Sequence, residues 1–156
     1  MLSKLTLTNF MQHENLVLHF SSGLNVIRGR NEAGKSTTMH AIAYALFGAR
    51  ALPLSVDDTV TWGIAPSKLK VELQFNIGGI NYTVTRSKAG ATLHGRPAGA
   101  TTDAQDVTSD GNAPVTAFIE NLFGATASVA QATLITKQKG LEASLGSGSV
   151  KLIEEL

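Results

Sequence analysis

The amino-acid sequence predicts an α/β fold, in which a mixed β-sheet packs with helices around one hydrophobic core. Three observations support this class. Apolar and polar residues alternate near the start of the chain, a compact apolar run is followed by a helical stripe, and a second alternating region lies in the middle. The chain has 156 residues, of which 43% are apolar and 16% charged, so it is long enough to bury such a core.

Composition excludes several kinds of protein. The chain contains no cysteine, which excludes disulfides, zinc–thiolate sites and cysteine nucleophiles. Its net charge is +1, so any contact with nucleic acid must use a local basic patch. The N-terminus has no long apolar run, and nothing approaches the ~20 apolar residues of a membrane-spanning helix. We therefore expect a cytoplasmic protein that does not enter a membrane.

Three strands are predicted before residue 30. Leu5 and Leu7 alternate with polar residues, and residues 16–20 repeat the alternation. This pattern indicates two strands that each bury one face, with the second returning beside the first. The run Leu-Asn-Val-Ile at 24–27 is short and β-branched, which is typical of a strand buried on both faces.

Two helices are predicted where apolar residues recur at helical spacing. The first carries its apolar stripe from Met39 to Phe47 and ends at Gly48, which suits a left-handed residue after a helix. The second has Asn112 as its N-cap and closes at Gly124. The first helix therefore follows the apolar run at 24–27 after a single loop.

A β-hairpin is predicted between the helices. Residues 71–77 and 80–84 alternate apolar with polar positions, and Gly78-Gly79 supplies the turn. Residues 91–94 add a third short strand. Residues 95–111 are mostly small and polar, so we expect an exposed loop there.

The loop from Gly29 to Ser36 meets the pattern G-x-x-x-x-G-K-[ST] between the third strand and the first helix. Glycines let the backbone wrap closely around phosphate oxygens, and successive N–H groups with the helix N-terminus form an anion-binding nest. Lys35 adds a charge for the β- and γ-phosphates, and Ser36 offers a hydroxyl to Mg²⁺. The pattern predicts binding of a nucleoside triphosphate, for which we expect ATP with Mg²⁺.

The predicted nucleotide-binding residues are the loop and the start of the helix. Lys35 is also a candidate catalytic residue, and Thr37 is expected to bond the α-phosphate. The full predicted set is Arg30, Asn31, Glu32, Ala33, Gly34, Lys35, Ser36 and Thr37.

Other motifs narrow the class of phosphate-binding protein. The Asp-x-x-Gly and Asn-Lys-x-Asp motifs of a GTPase do not occur, and the arginines are too scattered for a kinase lid. No apolar strand ends in the acid that holds Mg²⁺ in an ordinary ATPase. Asp57 and Asp58 follow a similar apolar segment, but Pro53 and Ser55 make that segment unsuitable as a central strand. A phosphate loop without its acidic partner is typical of a split ATPase.

The sequence resembles the SbcC-type ATPases of double-strand-break repair, relatives of SMC proteins and of phage recombination exonuclease subunits. Residues 5–13, L-T-L-T-N-F-M-Q-H, look like the opening strand and turn of that family. Residues 23–48 are close to its Walker A block, and the hairpin at 71–86 looks like its β-rich insertion. Residues 134–140, L-I-T-K-Q-K-G, are similar to its Q-loop. Many members carry Arg at the position of Met11, which puts a phosphate contact from that turn in doubt.

The resemblance implies an N-terminal ATP-binding lobe over residues 1–146, and the start of a coiled-coil helix over 147–156. It places Gln138 where the family's glutamine contacts Mg²⁺ and the attacking water, so Gln138 is a candidate metal ligand and catalytic residue. It also implies a C-terminal lobe that completes the ATPase, a homodimer that sandwiches ATP, a nuclease subunit, and DNA as the object acted upon. We expect this segment alone to be inactive in hydrolysis.

Two alternatives stay open on the residues alone. One is a self-contained small P-loop phosphotransferase that uses Asp57 or Asp58 for its metal. The other is a non-catalytic interaction module that keeps the loop as a relic. Trp62, in a polar connection, is expected to be either a satellite core anchor or a partner contact.

Overall fold

The computed structural model describes residues 1–30, 33–100 and 106–129. It confirms the predicted α/β class: one six-stranded sheet carries two helices on one face. The spatial strand order is β2-β1-β3-β4-β5-β6, and every described pair of strands is antiparallel. The elements are β1 Leu2–Phe10, β2 His13–His19, α1 Lys35–Phe47, β3 Lys70–Ile77, β4 Ile80–Ser87, β5 Ala91–Pro97, β6 Val107–Asp110 and α2 Asn112–Phe123.

The first two strands form the predicted antiparallel pair. Leu5 lies opposite Leu18 and Leu7 opposite Leu16. Both leucines of β1 are fully buried, because they point to the face of the sheet that the helices cover. The alternation in the sequence therefore specified both the strands and the face that each buries.

The predicted hairpin is confirmed as β3 and β4, which pair from Lys70 opposite Ser87 to Ile77 opposite Ile80. Its two turn residues, Gly78 and Gly79, both have positive φ, at 60° and 77°. A two-residue turn of this hand matches the twist of the strands, and glycine adopts it without a steric cost.

The expectation of an exposed loop at residues 95–111 is partly wrong. Strand β5 continues to Pro97, and β6 pairs with it, placing Val107 opposite Gly95 and Ser109 opposite Leu93. Four residues are too few for an alternating pattern to stand out, so the free edge of β5, rather than local pattern, decides that β6 forms.

The core lies between the inner face of the sheet and the two helices. Helix α1 packs on β1, β3 and β4, and α2 packs on β5, β6 and α1. The second half of α1, residues 41–47, is buried on all sides, so the single apolar stripe predicted for it was too narrow, and Met39 at its start is exposed. The buried apolar side chains of the sheet are Leu5, Leu7, Phe10, Val71, Leu73, Phe75, Tyr82, Val84, Ala91 and Leu93.

Arg86 of β4 lies fully inside this core and joins the two helices. Its Nε donates to the carbonyl of Ala45 at 2.8 Å, and its Nη2 donates to the carbonyl of Leu46 at 3.0 Å and to Thr116 Oγ1 at 2.9 Å. Burial lowers the pKa of Arg86 to about 10, so the guanidinium stays charged at neutral pH. A cation at this end of α1 satisfies carbonyls that have no partner within the helix.

The prediction that Asn112 caps α2 through its side chain is wrong. The residue before the helix is Gly111, and no side chain caps the first turn. Asn112 is the first residue of the helix, and its Oδ1 accepts a bond of 3.4 Å from Arg86 Nη1. The side chain of Asn112 therefore bonds to the buried Arg86 and does not form the cap that the local sequence predicts.

The predicted buried strand at 24–27 is also wrong. This segment has no regular secondary structure, and Leu24, Val26 and Ile27 are 89%, 62% and 39% exposed. No described strand runs beside it, and a strand without neighbours cannot form its ladder of hydrogen bonds. The parallel part of the expected mixed sheet is therefore not seen among the described residues. No helix in the described ranges is long and apolar enough to cross a membrane.

Candidate phosphate-binding site

The loop after residue 28 ends at Gly34, directly before helix α1. Gly34 has φ 83° and ψ 17°, and its carbonyl accepts the N–H of Thr38 at 3.1 Å, the first bond of the helix. No side chain caps this end, and the first turn carries no acidic residue. The first N–H groups of α1 and its positive end are therefore open to an anion at the loop.

Lys35 places its ammonium against the loop itself. Its Nζ donates to the carbonyl of Gly29 at 2.8 Å and to the carbonyl of Arg30 at 2.7 Å. A lysine ammonium has three N–H donors, so one remains after these two bonds. The ammonium thus lies inside the loop, with a donor left for a further acceptor.

Gly34 is required by its conformation and by its neighbours. A Cβ at this position would lie 2.2 Å from His13 Nε2 and 2.6 Å from Gln12 Nε2. The positive φ adds strain for any residue with a side chain. The turn between β1 and β2 therefore packs directly onto the loop, an association that local pattern did not reveal.

The same turn reaches the first turn of α1 through Thr37. Thr37 is buried, and its Oγ1 donates to Gln12 Oε1 at 2.8 Å. Ser36, in contrast, is exposed. Its hydroxyl is thus accessible as the predicted Mg²⁺ ligand, whereas that of Thr37 already bonds to the turn.

A second layer of contacts supports the turn. Its backbone is unusual, since Asn9 and Met11 have φ of 51° and 52°. Met11 N donates to the carbonyl of Thr59 at 2.6 Å, and Thr61 N donates to the carbonyl of Asn9 at 3.1 Å. Thr61 Oγ1 also donates to the carbonyl of His13 at 3.4 Å. The connection at 59–61 therefore fixes the turn that contacts Gly34.

His13 brings a polar atom to this contact. Its Nε2 is buried and has no hydrogen-bond partner among the described residues. This nitrogen is also the atom that a Cβ at Gly34 would meet first. An unpaired buried nitrogen beside a phosphate loop fits a site that receives a further polar group.

The two acidic residues of the alternative metal site are engaged by other side chains. Asp57 forms an ion pair with Lys88. Asp58 Oδ2 accepts a hydrogen bond from Ser55 Oγ at 2.6 Å, and Asp58 N donates to Ser55 Oγ at 3.2 Å. Over residues 1–30, 33–100 and 106–129, no three His, Asp or Glu side chains gather as a metal site.

Some predicted site residues lie outside the described residues, namely Asn31, Glu32 and Gln138. Arg30 and Ala33 flank the gap in the loop, and the N–H of Ala33 donates to the carbonyl of Arg30 at 3.2 Å. A cavity of about 590 Å³ lies at the other end of α1, lined in part by Gly48 and Arg50. It is separate from the loop, and its lining includes the buried Arg86.

Comparison with known proteins shows which family the chain resembles. The family described as "AAA domain" matches residues 4–136. A DNA double-strand break repair Rad50 ATPase of Thermoplasma acidophilum is 37% identical over 86 residues, which is 55% of this chain and 9% of that protein. The Rad50 ATPase of Thermoplasma volcanium is 27% identical over 148 residues, 91% of this chain and 16% of that protein.

A DNA replication and repair protein RecF, from Desulforudis audaxviator, is also similar. It is 30% identical over 100 residues, which is 63% of this chain and 28% of that protein. The chain thus spans about a tenth of the first Rad50 relatives it matches. These matches confirm the resemblance to the N-terminal ATPase lobe of Rad50- and SbcC-type proteins.

Proposed function

Since the chain belongs to the AAA domain family, we propose that it is the ATP-binding half of an ATPase head that acts in DNA double-strand break repair. One observation carries the proposal. A left-handed glycine at an uncapped helix N-terminus and a lysine ammonium inside the preceding loop together form a cradle for a polyphosphate.

In this proposal each type of polar group in the chain has a separate role in binding the nucleotide. The N–H groups at the start of α1 hold phosphate oxygens, and the remaining donor of Lys35 reaches the β- and γ-phosphates. The exposed hydroxyl of Ser36 is a ligand of Mg²⁺. When bound, Mg²⁺ neutralises charge that develops on the phosphates. Gln138 is assigned to Mg²⁺ and the attacking water by its place in the L-I-T-K-Q-K-G segment alone.

Hydrolysis in this proposal needs groups that the chain does not supply. Asp57 and Asp58, the two acids considered for a metal, bond to Lys88 and Ser55 instead. A C-terminal lobe would supply that acid and would place strands beside residues 24–27, whose apolar side chains are exposed. A second head would close over ATP in a homodimer. A nuclease subunit and DNA, with a role in recombination, complete the assembly that the resemblance implies.

The first experiment is calorimetry of the 156-residue chain with ATP and Mg²⁺. We expect binding in the micromolar range for the wild-type chain and a loss of about 100-fold or more in K35A, because the ammonium inside the loop is removed. K70A removes an exposed lysine of β3 and is the matched control, expected to bind like wild type. A wild-type chain that binds no nucleotide contradicts the proposal and supports a relic loop.

A turnover assay completes this test. The chain alone is expected to show no multiple-turnover hydrolysis of ATP. Steady turnover that K35A abolishes would contradict the split-ATPase proposal. If D58A also abolished that turnover with the fold intact, the self-contained phosphotransferase would replace it.

A further inference from the structure

The cavity of about 590 Å³ at the C-terminal end of α1 has no role in the proposed function. Three parts of the fold form its wall: the end of α1 with the residues that follow it, the turn after β4, and the first turns of α2. Cavities that hold small molecules have volumes of about 300–1,000 Å³. The space is therefore sufficient for a small ligand.

The N-terminus of α2 opens onto this cavity. Asn112 and Ala113, the first two residues of the helix, both line it. No side chain caps this end, and no acidic residue lies in the first turn. Pro114 has no N–H, and the N–H of Val115 donates to the carbonyl of Gly111 at 3.1 Å. The N–H groups of Asn112 and Ala113 therefore lack partners within the helix, and the positive end of α2 lies at the cavity wall.

The buried guanidinium of Arg86 forms another part of the wall. Its Nε and Nη2 use three of the five N–H donors of an arginine on the end of α1 and on Thr116. The bond of 3.4 Å from Nη1 to Asn112 uses a fourth. Nη1 would lie 3.1 Å from a Cβ at Gly48, which also lines the cavity. A buried N–H that no described residue accepts points to an acceptor that enters from the cavity.

Two further cations line the cavity, Arg50 and Lys88. Arg50 follows the end of α1 and has no ion-pair partner among the described residues. Lys88, in the turn after β4, pairs with Asp57. The lining also includes one carboxylate, that of Glu120, which accepts a backbone N–H at 2.8 Å. Three cationic side chains, counting Arg86, thus face one acid, and this balance favours an anion.

We propose that this cavity binds the phosphate group of a small molecule, at a site separate from the phosphate loop. A phosphate group carries a charge of about −1.5 to −2 at neutral pH and three strongly accepting oxygens. The cavity supplies the matching donors, namely the first N–H groups of a helix and guanidinium groups that bond phosphate oxygens in parallel pairs. A carboxylate has only two oxygens and would leave more of these donors without acceptors.

The ion pair of Lys88 with Asp57 predicts a gain of binding. D57N removes the negative charge beside the cavity and frees the ammonium of Lys88 for the phosphate. We expect D57N to bind inorganic phosphate about 3-fold more tightly, because one competing carboxylate is lost. A purely structural role of this ion pair would not strengthen the binding of an anion.

The test is a titration with inorganic phosphate, without Mg²⁺, followed through the backbone amide signals by NMR. Phosphate also fits the phosphate loop, so the titrated chain carries K35A to weaken that competing site. The amide signals of Asn112 and Ala113 should shift on titration, while those of Gly34 and Ser36 should stay in place. This pattern distinguishes the cavity from the loop within one experiment.

Side-chain variants in the K35A chain complete the test. R50A should weaken phosphate by about 5-fold, since one charged partner is lost. K68A removes an exposed lysine outside the cavity lining and is the matched control, expected to bind phosphate with unchanged affinity. Phenyl phosphate distinguishes the two sources of the group. Binding equal to that of inorganic phosphate supports a site for free phosphate, and tighter binding supports a site for a phosphate monoester.

Four outcomes would overturn the proposal: shifts confined to residues 34–36, equal losses in R50A and K68A, benzoate binding as tightly as phenyl phosphate, or D57N binding phosphate no more tightly. A short oligonucleotide that shifts Asn112 and Ala113 at concentrations where phosphate does not would assign the surface to nucleic acid, which also contradicts it. None of these results bears on the binding of ATP at Lys35, so the proposed function stands or fails separately.

Discussion

Two regions of the chain carry similar apolar sequence and have opposite surroundings. In the sheet, Leu5 and Leu7 are fully buried between strands on either side and α1 above. In the segment 21–30, Leu24 and Val26 are largely exposed. Within this segment, the side chain of Asn25 forms local hydrogen bonds with the backbone of Ser21 and Gly23. Apolar character alone therefore does not bury a segment, because burial also needs neighbouring strands.

The difference bears on the proposed assembly. The sheet pairs each of its inner strands on both sides and buries one face under the two helices. The segment before the phosphate loop exposes the apolar side chains of Leu24 and Val26, which suits a strand that pairs with neighbours from another lobe. A second lobe that paired with residues 24–27 would also fix the start of the loop that follows them.

The largest effect on stability is expected from a comparison of one side chain of the sheet, Leu7, with one of the exposed segment, Val26. L7A removes a buried side chain from the centre of β1 and should lower the free energy of unfolding by about 3 kcal/mol. V26A removes a similar side chain from the exposed segment and should change it by less than about 0.5 kcal/mol. Urea unfolding of the two variants measures this difference. A large loss in V26A would show that the segment is buried in solution, and the contrast would not hold.

The next prediction concerns how the stability of the sheet and its two helices depends on Arg86. R86M keeps the length of the side chain and removes its bonds to the carbonyls of Ala45 and Leu46. Because these carbonyls then lack that charged donor, we expect a loss of about 2 kcal/mol in the free energy of unfolding. R96M changes an exposed arginine of β5 and is the matched control. Equal stability of R86M and R96M would mean that Arg86 is not needed to join the helices.

A smaller effect on stability is expected at the border of the two regions, with a large effect on binding. G34A introduces a side chain at a positive φ and within 2.2 Å of His13 Nε2. It should therefore lower the free energy of unfolding by about 1.5 kcal/mol. It should also abolish the binding of ATP, because the contact lies where the loop meets α1. G63A meets the same strain at φ 81° but has open space around it. It should lower the free energy of unfolding by about 1 kcal/mol, because only the backbone strain is present. Calorimetry and urea unfolding measure both, and a G34A variant that binds ATP like wild type would contradict the role given to this contact.

Local pattern predicted the parts of the fold that depend on near neighbours. The pairing of β1 with β2, the hairpin at Gly78 and Gly79, and the end of α1 at Gly48 all follow from alternation, helical spacing and glycine conformation. The phosphate-loop motif could be predicted because its fixed residues are contiguous in sequence. The role of Asn112 was missed because its partner, Arg86, is distant in sequence.

The sequence by itself determined the α/β class, the main strands and helices, and the loop at residues 29–36, since these depend on periodicity and on residues within one turn of each other. Only the tertiary structure decided the rest. It buried Arg86, left Leu24 and Val26 exposed, and brought Gln12 and His13 onto Gly34 and Thr37. Those outcomes depend on which distant segments are present to pack together, and no local pattern carries that information.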